Sequence, residues 1–162
     1  MNNICEFSPC RTWRYTLEHV WADGPLLQVI GLNPSTADET KLDPTLRRVR
    51  GFAQAWGYGG FVMTNLFAYR STDPAAMMDH PDPIGPDNDF HLLATAHRCQ
   101  ATLAAWGVHG RHLDRDQEVF RLLAGHGLSM MCLGRTKHGA PRHPLYVRAD
   151  TGPDLFTERS FY

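Results

Sequence analysis

The chain has 162 residues, 43% hydrophobic and 20% charged, with a formal net charge of −1. That length suits one domain with a real core, and its apolar residues are interrupted too often to give the roughly 20 in a row that cross a bilayer. A pI near 6.7 argues against a protein that lives on duplex DNA.

The start, Met1 to Glu6, has neither the basic residues nor the apolar stretch of a secretory signal. A cytoplasmic location is expected, with no membrane partner. Cys5, Cys10, Cys99 and Cys132 form no Cys-x-x-Cys pair, which removes zinc-ribbon and thioredoxin-like readings. Cys99 and Cys132 lie in apolar surroundings and read as buried thiols. A Cys5–Cys10 bridge would not suit a reducing compartment. No cofactor and no metal is expected.

Arg14–Trp21 alternates and is rich in β-formers, so it reads as a strand at a sheet edge. Asp23-Gly24-Pro25 is a turn. Leu26–Leu32 is a continuous apolar run, the pattern of a strand buried on both faces. Asp43-Pro44 then marks a helix, with Asp as N-cap and Pro in the first turn. Leu46, Val49, Phe52, Ala53 and Trp56 follow at helical spacing, and Gly57 closes it. Gly60–Phe67 is the second buried strand. Asp73-Pro74 starts a short helix to Met78, and a Pro-rich loop leads to a helix over Pro86–Arg98. Gln100–Trp106, a helix over Asp114–Ala124 and a strand over Ser129–Leu133 complete the series. The expected fold is a single domain over 1–162, a three-layer α/β/α with a four-stranded, mainly parallel sheet. Its core would run from about 11 to 148, with 149–162 as a peripheral tail.

Ligands of open α/β sheets bind at the carboxyl ends of the strands. Four segments qualify: Gly31–Asp38, Asn65–Asp73, Trp106–His112 and Gly134–Tyr146. In the first, Pro34 stiffens the chain after Asn33, which would present a carboxamide, with Ser35 and Thr36 adding hydroxyls. An ordinary Asn-Pro turn explains the same letters. In the second, Asn65 ends an apolar strand, where burial demands a partner, and its amide offers both a donor and an acceptor. A structural amide bonding loop backbone is equally open. In the last, His143 stands extended before Pro144 and could donate a hydrogen bond or carry a proton near neutrality. A surface histidine in a basic loop is the plain alternative.

Asp38 and Asp43 are possible bases, although capping accounts for Asp43. His109 and His112 lack a third metal ligand. Arg47, Arg48 and Arg50 form one basic cluster; Arg135, Lys137, Arg142 and Arg148 form another. Either suits a phosphate or a solvated face. No dinucleotide, P-loop or nucleophile-elbow motif appears.

The block Leu32–Asp38, Asp43-Pro44-Thr45 with Arg47-Arg48, Thr64–Phe67 and Gly139–Leu145 resemble the family catalogued as domain of unknown function 1643. A more distant likeness is to the uracil-DNA glycosylase superfamily, carried by Gly31-Leu32-Asn33-Pro34, Thr64-Asn65 and His143-Pro144. That resemblance implies a uracil-DNA-glycosylase-like fold and a glycosylase-like enzyme acting on an N-glycosidic bond. Asn33 would position water, Asn65 would read a base edge and His143 would stabilise the departing base. Ser35 and Thr36 would contact the substrate. Phe67 or Tyr69 would stack on the base, and Arg70, Arg135 or Arg142 would hold phosphate. The ligand would be a nucleobase, nucleotide or single-stranded nucleic acid. The final loop lacks the residues that wedge into duplex DNA, which weighs against base flipping. The alternative is a non-catalytic nucleotide or modified-base binding module of the same fold.

Overall fold

The computed structural model describes residues 3–35 and 41–157. Seven strands form one sheet in the order β1-β2-β4-β3-β5-β6-β7. They are β1 (Ile4–Phe7), β2 (Arg14–Val20), β3 (Leu26–Gly31), β4 (Gly60–Asn65), β5 (Ala101–Ala104), β6 (Met130–Cys132) and β7 (Asp154–Phe156). The four strands read from continuous apolar runs, β4-β3-β5-β6, form an unbroken parallel block. The sheet as a whole is not four-stranded and not mainly parallel. The pairs β1–β2, β2–β4 and β6–β7 are antiparallel, equal in number to the parallel ones. β2 is therefore an inner strand and not an edge. Beyond the expected core, residues 154–156 form β7, which pairs with β6, and Phe156 is buried edge-on against Trp106.

Helices α1 (Pro44–Ala55), α2 (Pro74–Asp79), α3 (Asn88–Arg98) and α4 (Arg115–Ala124) complete the fold. Side chains alternate across a strand, so each strand feeds two cores. Leu27, Val29, Phe61, Met63 and Leu103 meet Leu46, Val49 and Phe52 of α1 on one face. Ile30, Ala104, Met130 and Cys132 meet Leu92 of α3 and Val119 and Leu123 of α4 on the other. The second core also holds a polar ladder across three strands. Gln28 Nε2 donates to Thr64 Oγ1 at 3.2 Å and to the Leu92 carbonyl at 3.1 Å, while Thr102 donates to Gln28 Oε1 at 2.8 Å. Buried amides are tolerated when bonded in this way.

Two helix starts follow the Asp-Pro rule. Asp43 accepts from the Leu46 N–H at 2.8 Å, and Asp73 from the Ala75 N–H at 3.0 Å. α4 has no such side-chain cap; the left-handed residues Leu113 and Asp114, at φ 57° and 52°, turn the chain into it from the 3-10 segment Val108–Asp114. Among the described residues the four cysteines form no disulfide, and Cys132 is buried while Cys99 is half-buried. No helix among them is long and apolar enough to cross a membrane.

His19 on β2 is buried and sends Nδ1 to Asn3 Oδ1 at 2.7 Å, while its Nε2 is buried without a partner. Burial first, then Arg50, holds this imidazole below its usual pKa of 6.5. An unfolded chain then takes up a proton that the folded one refuses, so stability falls as pH drops below 6.5. Thermal unfolding between pH 7.5 and about 5 should show a falling midpoint. In His19→Gln the fall should be smaller by a few degrees, at roughly 2–4 °C per kcal/mol for a chain of this size. An identical slope in both proteins removes His19 as a source.

Candidate functional site

The loop after β3 leads to α1 on one face, and the loop after β5 leads to α4 on the other. Where neighbouring parallel strands send their connections to opposite faces, a crevice opens at their carboxyl ends. A cleft of about 380 Å³ lies there. Asn33, Asn65 and His143 all line it, joined by Ser35, Asp43 and Arg14. The three loops that carry the sequence reading thus converge.

Each of the three is held by backbone bonds. Asn33 Nδ2 faces three carbonyls, Ser71 at 2.9 Å, Pro34 at 3.2 Å and Tyr69 at 3.4 Å. Three acceptors fix which end of the amide is nitrogen, and this leaves Oδ1 for the cleft. The same bonds tie the loop after β3 to the loop after β4, as does the Ser71 N–H on the Pro34 carbonyl at 2.9 Å.

Asn65 is 2% exposed, and its Oδ1 is buried with no hydrogen-bond partner. The backbone around it is fixed by two helices. Asn88 Nδ2 of α3 donates to the carbonyls of Asn65 at 2.9 Å and Leu66 at 3.0 Å, and Arg115 Nε of α4 donates to Leu66 at 2.9 Å. Gly31 makes room for the amide. A Cβ there would stand 2.9 Å from Asn65 Oδ1 and 2.5 Å from Met63 Cε.

His143 is extended at φ −71°, ψ 138°, as the following proline requires. Its Nδ1 accepts the Leu145 N–H at 3.2 Å. A nitrogen that accepts carries no proton, so the neutral ring bears its hydrogen on Nε2. Burial favours that neutral form by pulling the imidazole below its usual pKa, while the Asp43 carboxylate works in the opposite direction. The loop is anchored from two sides. Arg48 of α1 donates to the carbonyls of Pro144, at 3.2 Å, and Val147. Gly107 N–H donates to the Pro141 carbonyl at 3.0 Å, from a left-handed φ of 73° that only glycine adopts without strain. Arg48 is therefore a clamp for the histidine loop.

Asp43 does more than cap α1. Its Oδ1 takes the Leu46 N–H, its Oδ2 takes the Ser35 hydroxyl at 2.6 Å, and the carboxylate faces the cleft. The sequence offered Asp43 as a possible base, but the Asp-Pro motif already accounted for the residue as a cap, and the Ser35 bond was not foreseeable. Sequence reasoning missed buried Arg14, which reads as a charged strand start, and Tyr146 at the mouth. Tyr146 is 79% exposed, with its ring centroid 5.5 Å from that of His143.

The other expected site residues fall elsewhere. Thr36 and Asp38 lie outside the described residues. Phe67 is fully buried in the second core with His112 against it, and Tyr69 stacks on His80 at 4.0 Å. Arg70 donates to the Arg11 carbonyl and sits over Phe7. Arg135 bonds the Leu155 carbonyl and Asp154, and Arg142 reaches the Arg135 carbonyl. None of these five side chains lines the cleft, so neither the aromatic stacking nor the phosphate contacts expected of them fall there. His109 lines it while His112 does not, and among the described residues no three His, Cys, Asp or Glu side chains gather to hold a metal.

Gly31→Ala tests the packing under Asn65. Overfilling a tight site costs about 1–3 kcal/mol, so the unfolding midpoint should drop by several degrees. An unchanged midpoint would mean that Asn65 and Met63 are not pressed against this backbone.

The model of the family described as "Protein of unknown function (DUF1643)" matches residues 14–145. That span holds every described cleft residue except Tyr146. No curated protein and no solved structure matches the chain. With the match covering most of its length, the chain belongs to the DUF1643 family.

Proposed function

We propose that the cleft takes a nucleobase joined to a sugar and hydrolyses the N-glycosidic bond between them. One observation carries this reading: Asn33, Asn65 and His143, from three strand-end loops, line a single cleft. Their order and motifs also support it, through the likeness of Gly31-Leu32-Asn33-Pro34, Thr64-Asn65 and His143-Pro144 to the uracil-DNA glycosylase superfamily. A volume near the small end of ligand pockets suits a nucleoside, a nucleotide or the end of a single strand.

The chemistry follows from the fixed groups. Water adds to the sugar carbon as the C–N bond breaks, and the electron pair leaves with the base. Asn33 Oδ1 accepts a hydrogen bond from that water and orients it. The neutral His143 donates from Nε2 to the negative charge growing on the base, a preorganised dipole that needs no proton transfer. Asn65 Oδ1, buried and lacking a donor, takes an N–H from the base edge. Ser35 flanks the sugar side.

A second reading is favoured by one feature. The Asn33 amino group is wholly occupied in bracing two loops, which a binding module without catalysis also needs. Incubation with a panel of nucleosides, nucleotides and short single strands separates the two. Hydrolysis predicts release of free base, and predicts that Asn33→Ala and His143→Ala each lower turnover by at least about tenfold. Ligand that stabilises the protein against heat and is recovered intact establishes the binding module instead.

A further inference from the structure

Attack by water on a sugar carbon releases a proton, and Asn33 cannot take it, because a carboxamide is not a base at neutral pH. His143 is committed otherwise, with Nδ1 bonded to the Leu145 N–H and its hydrogen on Nε2. Arg14 is a cation. Among the described residues that line the cleft, Asp43 is the one carboxylate. We propose that Asp43 is the general base of the cleft, an assignment that rests on the hydrolytic reading above.

The geometry distinguishes this residue from a simple cap. Asp73 provides the internal comparison: it opens α2 with the same Asp-Pro pair, accepts the Ala75 N–H, is exposed and lies off the cleft. Asp43 caps with one oxygen and binds Ser35 with the other, in the loop that carries Asn33. Each oxygen accepts one such bond and keeps a lone pair for a further donor. Asp43 stands at the amino end of a twelve-residue helix, where the peptide dipoles point their positive end at it, and the two bonds hold its plane fixed. His143 and Arg14 both feel its charge. One anion thus stands where a positive sugar develops, within a cleft whose opposite task falls to the imidazole.

The step balances. A water proton passes to the Asp43 carboxylate as the O–C bond forms and the C–N bond breaks. The base departs as an anion beside His143 Nε2–H. The carboxylic acid then returns its proton to the departed base or to solvent.

The test uses the full chain and two variants that retain a good helix cap, Asp43→Asn and Asp43→Ser. Base release from the nucleoside panel is measured with KM and the unfolding midpoint. The expected result is turnover lowered at least about a hundredfold in both variants, with KM within about threefold and the midpoint within a few degrees. Excess formate should restore part of the turnover in Asp43→Ser, since it fits the space of the lost carboxylate. A cap alone predicts neither the loss nor the rescue. Turnover within about threefold of the parent in either variant overturns the assignment and leaves the hydrolytic reading standing. A parent protein that releases no base from any member of the panel overturns the hydrolytic reading, and the base role of Asp43 with it.

Discussion

A parallel strand that leaves its sheet must still satisfy its last carbonyls, and the end of β4 is where this constraint governs the molecule. The carbonyls of Asn65 and Leu66 have no neighbouring strand to take them. Asn88 and Arg115 supply the donors instead. Burying a guanidinium completely is costly, yet Arg115 is 0% exposed. Its remaining nitrogens reach Asp89 and Glu118, two half-exposed carboxylates that bring the charge back toward solvent. Because α3 holds both carbonyls and α4 shares the second of them, the path of the chain past Asn65 is set by both helices at once. The direction of the Asn65 amide follows from that grip, and so does the position of the loop that Asn33 braces.

The histidine loop meets the same problem from the other side. It is more than 75 residues from Asn65 in the chain, and its own local bonds, such as the Arg142 N–H on the Gly134 carbonyl at 3.0 Å, do not tie it to the cleft. Arg48 and Gly107 do so, one from α1 and one from the end of β5. Their three bonds go to backbone carbonyls rather than side chains, so the loop is fixed in position while the imidazole keeps its own tautomer through Leu145. Neutrality at His143 is then a product of two independent causes, a committed Nδ1 and a desolvated ring, with Asp43 as the opposing charge.

What the sequence made legible divides along physical lines. β3, β4, β5 and β6 were readable because burial on both faces demands continuous apolar runs. β1 and β7 carry no such demand. They are edge strands of four and three residues, largely exposed or half-buried, and exist through pairing with β2 and β6. Helices α1 and α2 announced themselves through Asp-Pro, whereas α4 begins with a backbone turn at Leu113 and Asp114 that no residue type dictates. Of the cleft residues, Asn33 and Asn65 were visible because polar residues just past apolar strands are expensive without a partner, and His143 because the proline after it holds it extended. Arg48 was not separable from Arg47 and Arg50, since a clamp differs from a solvated charge only in what it reaches across 96 residues. Arg70, Arg135 and Arg142 lie off the cleft on carbonyls of their own, and local charge says nothing of which carbonyl lies nearby.

Two layers of buried polar groups lie close together in this sheet, and they differ in how they are completed. The Gln28 ladder closes on itself, with Thr64, Thr102 and the Leu92 carbonyl meeting both ends of the amide. One residue further along β4, the side of the strand changes and the Asn65 amide faces the cleft with its oxygen unmet. Leaving a buried carbonyl without a donor costs about 1–3 kcal/mol, a sizeable part of the margin by which a domain is stable. Gly31 shows that the arrangement is built and not a packing fault, because a methyl group at that position would crowd the very oxygen concerned. On the proposed reading the cost is recovered when a base edge supplies the N–H, so the same amide that weakens the empty protein gives the cleft its preference among ligands. Asn65→Leu would remove that debt and the recognition together, which is why stability and binding should move in opposite directions at this one position.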